Sequence, residues 1–362
     1  MKITDVQVGK IRIPLKKPFK TALREVRVLE NVVVKITTDT GNVGYGEAAI
    51  TQVITGDFMS SIKGAISEEI GPKLIGRYIE DFENLMDILH SSLVNNTSPK
   101  AAIDMALYDL YGQLYNAPVY KLLGGYKDEI TTDITISVNE PEEMVEDSIK
   151  AVEKGYKTLK IKVGKDWKKD IERIKAIREA IGYDIKIRAD ANQGWTPKEA
   201  VMVIRKMEDL GLDMELIEQP VKAHDIEGLK FVTENVYTPI LADESCFSPL
   251  DAVKIIQTRA ADMVNIKLMK AGGIYKALKI ASIAESFGVE CMIGCMMESK
   301  IGLTAACHLA AAKKIISKYD LDSPNLLAED PIIGGAQYNE HQIKLSNKAG
   351  LGFVDIGNIV FD

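Results

Sequence analysis

TLKIKVGKDWKKDIERIKAIREAIGYDIKIRAD, residues 158–190, carries in one pass a short apolar strand, an amphipathic helix and a second strand that ends on an acid. Side chains alternate along a strand, so Lys160 and Lys162 share one face while Leu159, Ile161 and Val163 share the other. The same unit recurs about every 24 to 30 residues on both sides of this stretch. Its strands read TDITISV (132–138), TLKIKV (158–163), DIKIRAD (184–190), MELIE (214–218), PILAD (239–243), DMVNIKL (262–268), VECMIG (289–294) and KYDLD (318–322). The helices between them have clear boundaries. Thr196-Pro197-Lys198-Glu199 is a capping box with proline at the first helical position, and Ala200, Val203, Ile204, Met207 and Leu210 follow at helical spacing up to Gly211. Eight short strands with seven intervening helices predict a closed parallel barrel of the α/β class, a modified TIM barrel (β/α)7β over residues 126–324. An open doubly wound sheet is the alternative, but no Gly-rich phosphate loop follows the first strand.

Residues 1–125 are patterned differently. Strands at about 31–39 (NVVVKITTD) and 42–48 (NVGYGEA) flank a TGN turn and read as a hairpin. Helical stretches follow around 58–70, 80–91 and 98–114, the last opening at Ser98-Pro99. Strands first and helices afterwards predict an α+β capping domain, completed by two strand-like pieces within about 325–362.

Composition narrows the function. The chain has 362 residues, 46% of them apolar and 27% charged, with a formal charge of −7. No Lys/Arg block offers a nucleic-acid surface, and no apolar run approaches the ~20 residues a membrane helix needs. MKITDVQVGKIRIPL has a polar residue at every second or third position and does not read as a signal peptide. Cys246, Cys291, Cys295 and Cys307 form no CxxC pair and are expected as reduced thiols, consistent with a cytoplasmic protein. Only four histidines exist (His90, His224, His308, His341), widely scattered, so acid–base chemistry must rest on carboxylates or lysines.

Catalytic groups of such barrels sit at the C-terminal ends of the strands. Those ends supply Lys160, Lys162, Asp190, Glu218, Asp243, Lys267, Asp320 and Asp322. A single acid after a strand is more often a loop or helix cap than a catalyst. Recurrence on six strands is not explained that way. Asp190, Glu218 and Asp243 come from consecutive strands and would repel unless a cation joined them; an all-oxygen set without His or Cys favours a hard ion, Mg²⁺ first. Lys267, on strand six, stands across the barrel from Lys162 on strand two. A substrate between them has an amine on each face, and neighbouring cations are expected to lower the lysine pKa towards a working base.

The segments LKIKV, RADANQGW, LIEQP, LADES and NIKLMKAGG, with KPFKTALR, GYGEA and AAIDMALYDL in the capping part, strongly resemble the enolase superfamily in its muconate-lactonising subgroup. The resemblance covers nearly the whole chain. Within the subgroup the chain is similar to dipeptide epimerases of the L-Ala-D/L-Glu type, which are set apart by an Asp-x-Asp after the eighth strand, here Asp320-Leu321-Asp322. By this resemblance Asp190, Glu218 and Asp243 ligate Mg²⁺, Lys162 and Lys267 are the two bases, and Lys160 assists the first. Asp320 and Asp322, which strand alternation would put on one face, would hold the α-ammonium of a small dipeptide by charge-assisted hydrogen bonds. Thr135 and Ser137 are candidates to touch the dipeptide backbone, with a plain barrel-interior role as the alternative.

The resemblance implies inversion of the α-carbon of the dipeptide's C-terminal residue by a 1,1-proton transfer. The capping loops carry Phe19, Arg24, Ile54 and Phe58. Arg24 stands where a cation would meet a glutamate side chain, while Phe58, Ile134, Met296 and Met297 would suit a hydrophobic second residue or serve only as core. Both second residues stay open at this stage. Cycloisomerisation and o-succinylbenzoate synthesis would reuse the same lysines and metal but need no ammonium clamp. A binding protein that had lost catalysis would not keep every catalytic position occupied. A homo-oligomer is expected, since barrels of this type often assemble.

Overall fold

The computed structural model describes residues 1–21 and 24–362. The chain opens on an antiparallel meander of three strands, Ile3–Lys20, Glu25–Thr38 and Val43–Ala49. The second and third form the expected hairpin around the TGN turn, with Thr37 opposite Val43. The long first strand has no counterpart in the sequence reading. Much of its outward face is polar, and an irregularity between Pro14 and Phe19 interrupts its pairing. Beyond that break the strand's end carries Phe19 towards the barrel mouth.

The helix Thr97–Leu114 lies directly on the third strand. Gly44 and Gly46 explain how closely. A Cβ on Gly44 would stand 2.3 Å from the Ala106 carbonyl oxygen, and one on Gly46 would stand 1.9 Å from that of Ala102. Only glycine permits this approach of helix to sheet, which accounts for the GYGEA segment.

The barrel strands are Ile134–Ile136, Thr158–Lys162, Lys186–Asp190, Met214–Glu218, Ile240–Ala242, Met263–Ile266, Cys291–Gly294 and Ile316–Asp320. They form one parallel sheet in sequence order. The first and eighth meet at a seam where the Asp133 amide donates to the Tyr319 carbonyl (3.3 Å) and the Leu321 amide donates to the Thr132 hydroxyl (2.8 Å). Leu216, Leu241, Met263 and Met292 cluster inside, beside a buried Arg188 held by Asp133 (2.8 Å) and Glu215 (2.6 Å). Helices pack outside, and the capping box of Thr196 and Glu199 forms as the sequence predicts. Among the described residues, no helix is long and apolar enough to cross a membrane.

Several strands stop earlier than their sequence patterns suggest. Asp243 and Lys267 lie just past their ladders, and Asp322 follows the eighth strand as the cap residue of the short helix Ser323–Leu326. Asp320 and Asp322 therefore do not share a strand face, as alternation would have had it. The turn after Asp320 sets their relation instead.

Glu47 fastens the two parts together. Its carboxylate, fully buried, accepts from the Ser299 amide (2.9 Å) and hydroxyl (2.7 Å), the Gly302 amide (2.9 Å) and the Asn31 side-chain amide (2.7 Å). The first three belong to the start of the barrel helix Lys300–Ala312, where free amides and the helix dipole favour an anion. Glu47→Ala strands these donors in the interior and should cost about 3 kcal/mol in urea unfolding. Loss of Glu30, which pairs on the surface with Lys10 and Arg12, should stay within about 1 kcal/mol. Equal losses for the two variants would refute the docking role.

Candidate active site

The barrel mouth holds an excess of buried charge. Lys160, its side chain 1% exposed, places Nζ 2.7 Å from Glu218, 2.7 Å from Asp320 and 3.1 Å from Asp190. Lys162 Nζ lies 2.6 Å from Asp190, and Lys267 Nζ lies 2.6 Å from Asp243. Lys270, which the sequence reading did not single out, reaches the same acid at 2.7 Å and donates to the carbonyls of Asp243 and Asn265. The second and sixth strands lie opposite each other in an eight-stranded ring, so Lys162 and Lys267 project from opposing walls.

These contacts set the proton affinities. Burial acts to lower the lysine pKa, but at Lys160 the acids Asp320, Glu218 and Asp190 outweigh it and hold the ammonium well above the usual range. Lys267 is likewise raised, because Asp243 more than offsets burial and the repulsion of Lys160. The expectation that neighbouring cations would depress this lysine is therefore reversed here: its nearest neighbour is a carboxylate. Asp190 is opposed by burial yet held down at about 2 by Lys162 and Lys160. Asp243 lies further below the carboxylate range, since Lys267 and Lys270 overcome its burial. Glu218 moves the other way, up to about 7, through burial and the nearby Asp190 charge.

The three acids do not close on a common point. Each turns towards a lysine, and among the described residues no three His, Cys, Asp or Glu side chains are spaced as ligands of one ion. Glu218 Oε2 and Asp243 Oδ1 have ammonium neighbours but no well-directed hydrogen bond. Asn265 donates to the other Glu218 oxygen (2.9 Å), and the Asn192 amide donates to Asp190 (2.9 Å).

Above this floor, Lys160, Lys162, Lys267, Asp320, Asp322 and Thr135 line one cavity of about 70 Å³, roofed by Phe19, Arg24, Ile54, Met296 and Met297. Asp322 accepts from the Thr135 amide (2.6 Å), and its carboxyl is pushed up to about 6 by burial and by Asp320. The Phe19 ring lies 6.0 Å from Lys162 Nζ. Arg24 gives a weak hydrogen bond to the Ile50 carbonyl (3.4 Å), and burial lowers its pKa. Among the described residues, no carboxylate pairs with it. Ser137 and Ile134 lie in an adjoining groove, where the Ser137 hydroxyl accepts from the Lys20 amide (3.1 Å). Phe58 is exposed and does not line the cavity.

Sequence reasoning passed over Asn192 and Glu244, both of which line the cavity. Glu244 accepts from Asn192 (3.3 Å) and is pushed up to about 8 by burial and then by Asp243 and Asp190. Each sits beside an assigned acid, in RADAN and LADES, and adjacency to Asp190 and Asp243 was the available signal.

Two family descriptions cover the chain: "Mandelate racemase / muconate lactonizing enzyme, N-terminal domain" matches residues 3–124, and "Enolase C-terminal domain-like" matches residues 143–354. The chain belongs to the mandelate racemase/muconate lactonizing enzyme family. Among family members, the L-Ala-D/L-Glu epimerase of Clostridium acetobutylicum is 57% identical, over 99% of this chain and all of that protein. A substrate-liganded structure of the L-Ala-D/L-Glu epimerase from Bacillus subtilis superposes with a TM-score of 0.97 at 52% identity, covering 98% of this chain and 99% of that one. The dipeptide epimerase of Enterococcus faecalis, complexed with Mg and L-Leu-L-Tyr, gives a TM-score of 0.95 at 45% identity over 98% of this chain and all of that one.

Lys160 is the residue on which the bare site's charge balance turns. Lys160→Met leaves Asp190, Glu218 and Asp320 facing one another and should destabilise the metal-free protein by about 3–5 kcal/mol in urea. Lys150→Met, which removes only a fully exposed surface pair with Glu146, should leave the urea midpoint unchanged. A Lys160→Met protein as stable as the parent would show that the acids are not mutually repulsive.

Proposed function

We propose that this enzyme is a dipeptide epimerase that inverts the α-carbon of the C-terminal residue, with glutamate as the preferred second residue. One observation carries the reading: a single cavity holds two lysines on opposing walls and an acid pair, Asp320 and Asp322, beside them. Opposed amines suit removal and return of a proton on the two faces of one carbon. The acid pair suits a primary ammonium, which neither cycloisomerisation nor o-succinylbenzoate synthesis would need. The names of the relatives agree, since they describe dipeptide epimerases and a bound dipeptide.

Asp190, Glu218 and Asp243 are the residues that would hold Mg²⁺. The donor set is all oxygen, it comes from three adjacent strands, and two of its buried oxygens lack a well-directed hydrogen bond, which fits a hard divalent cation. When bound, the ion supplies a positive anchor for the substrate carboxylate and for the charge that develops when the α-proton leaves.

The chain's own residues do the rest. The neutral amine of Lys162 or Lys267 takes the α-proton and becomes an ammonium, while the electron pair of the C–H bond moves into the adjoining carboxylate. The ammonium on the opposite wall then returns a proton to the other face, which inverts the centre and leaves that lysine neutral. Lys160, held cationic by three acids, stays a fixed charge beside Lys162's partner Asp190. Thr135 holds Asp322 through its amide, so the acid presents its second oxygen to the substrate ammonium. The half-paired, desolvated Arg24 offers a guanidinium to a carboxylate-bearing second side chain.

In D₂O, L-Ala-L-Glu should gain one deuterium at the glutamate α-carbon, read by mass. Lys162→Ala and Lys267→Ala should each abolish exchange from one stereoisomer and retain it from the other. Loss from both isomers without preference would defeat the two-base assignment.

Asp322→Asn should lower kcat/KM for dipeptides about 100-fold, the scale of one buried charge-assisted contact. Its effect on N-acetylated analogues without an ammonium should be far smaller. Arg24→Met should raise KM for Ala-Glu by about tenfold or more and leave Ala-Leu nearly unaffected. Equal effects on both substrates would remove Arg24 from recognition of the second side chain.

A further inference from the structure

The catalytic cavity, about 70 Å³, is small for a dipeptide. Thr135, Phe19 and Leu326 line both this cavity and an adjoining groove of about 520 Å³ between the Lys16–Lys20 arm and the helix Pro141–Glu153. That volume lies in the range of ligand sites, and no step described so far uses it.

Geometry decides what enters. An ammonium bound by Asp320 and Asp322 sits on the α-carbon of the first residue, and that carbon also carries the first side chain, whose Cβ lies only about 2.5 Å from the nitrogen. Asp322 is tied to Thr135, and Thr135 stands at the mouth of the groove. The groove offers the first side chain room that the cavity of about 70 Å³ does not. Its walls are formed by Ile134, Ile136, Ala151, Tyr156 and Leu326. Tyr156 is fixed by the Asn325 amide (2.8 Å), which leaves its ring as wall.

The rim is charged, with five lysines against three acids. Lys17 pairs with Asp147 (2.6 Å) and Lys154 with Glu340 (3.3 Å), whereas Lys16 and Lys20 meet only the oxygens of Asn325 and Asn139 among the described residues. A surplus of positive charge at the rim repels a cationic side chain.

Resting on the epimerase reading, we propose that this groove is the pocket for the side chain of the substrate's first residue, and that it selects a bulky apolar one (leucine or phenylalanine) over alanine and rejects lysine. Ala151 is the gate of the selection. Its methyl lines the groove from the helix, so a larger side chain there occupies the space without touching the lysines, the acids or the ammonium clamp.

The test is a series of L-Xaa-L-Glu dipeptides with Xaa alanine, leucine, phenylalanine or lysine, epimerised by the wild-type enzyme with Mg²⁺ and by Ala151→Leu and Ala151→Phe. For the wild type, kcat/KM should be about tenfold or more higher with leucine or phenylalanine than with alanine, and lowest with lysine, the discrimination a hydrophobic pocket gives per one or two methylenes. In the variants the advantage of the bulky residues should vanish in graded fashion, leucine plug before phenylalanine plug, while L-Ala-L-Glu stays within about threefold of the wild type and certifies the fold. A wild-type enzyme that turns over alanine-first substrates as well as or better than bulky ones overturns the proposal. So does an Ala151 variant whose activity on L-Ala-L-Glu is intact and whose preference is unchanged. Absence of epimerisation with every dipeptide would instead overturn the underlying epimerase reading.

Discussion

Four ammonium groups buried among carboxylates at one end of a barrel are the constraint on which the rest of this structure depends. Each charge would be prohibitive alone, and removing either sign leaves the other uncompensated in a site of low dielectric. Lys160 sits at the centre, with Asp190, Glu218 and Asp320 from three different strands around it. The arrangement ties together strands two, three, four and eight at the barrel's mouth. It also holds Lys160 and Lys267 charged.

Much of this was legible in the sequence because the chemistry lies at repeated, countable positions. Eight strand patterns with seven helices between them predicted the barrel, and the ionisable residues at strand ends predicted which side chains would meet. What escaped was governed by details that periodicity does not carry. The first strand escaped because a half-solvated edge with a break near Pro14 does not alternate cleanly. The placing of Asp320 and Asp322 was misread because the ladder ends at Asp320, and a turn rather than a pleat relates the two acids. The raised affinity of Lys267 for its proton was misjudged because a count of neighbours by strand cannot say that Asp243 turns towards the lysine. Lys270, Asn192, Asn265 and Glu244 were missed although all sit in the quoted segments; residues that support assigned ones carry no periodic signal of their own.

The capping part and the barrel form one machine because the roof of the site belongs to both. Phe19 comes from the end of the first strand, Arg24 directly precedes the second and Ile54 follows the third, whereas Met296 and Met297 come from the loop after barrel strand seven. That loop is tied across the boundary. The Asn31 side chain donates to the Met297 carbonyl (2.9 Å) and to Glu47, and Glu47 receives the Ser299 amide two residues further on. On the barrel side, the Met296 amide donates to Glu298 (2.8 Å), and the Glu298 amide donates to Ser323 (3.0 Å), the residue after Asp322.

The chain of contacts therefore runs from the capping sheet through Glu47 and the strand-seven loop to the acid pair. Glu298 makes it sensitive to charge. Its carboxyl is pushed up to about 8 by burial and by the neighbouring Glu47. The loop that carries Met296 and Met297, and the turn that carries Asp322, are thus tied to the capping sheet by way of two buried carboxyls, Glu47 and Glu298.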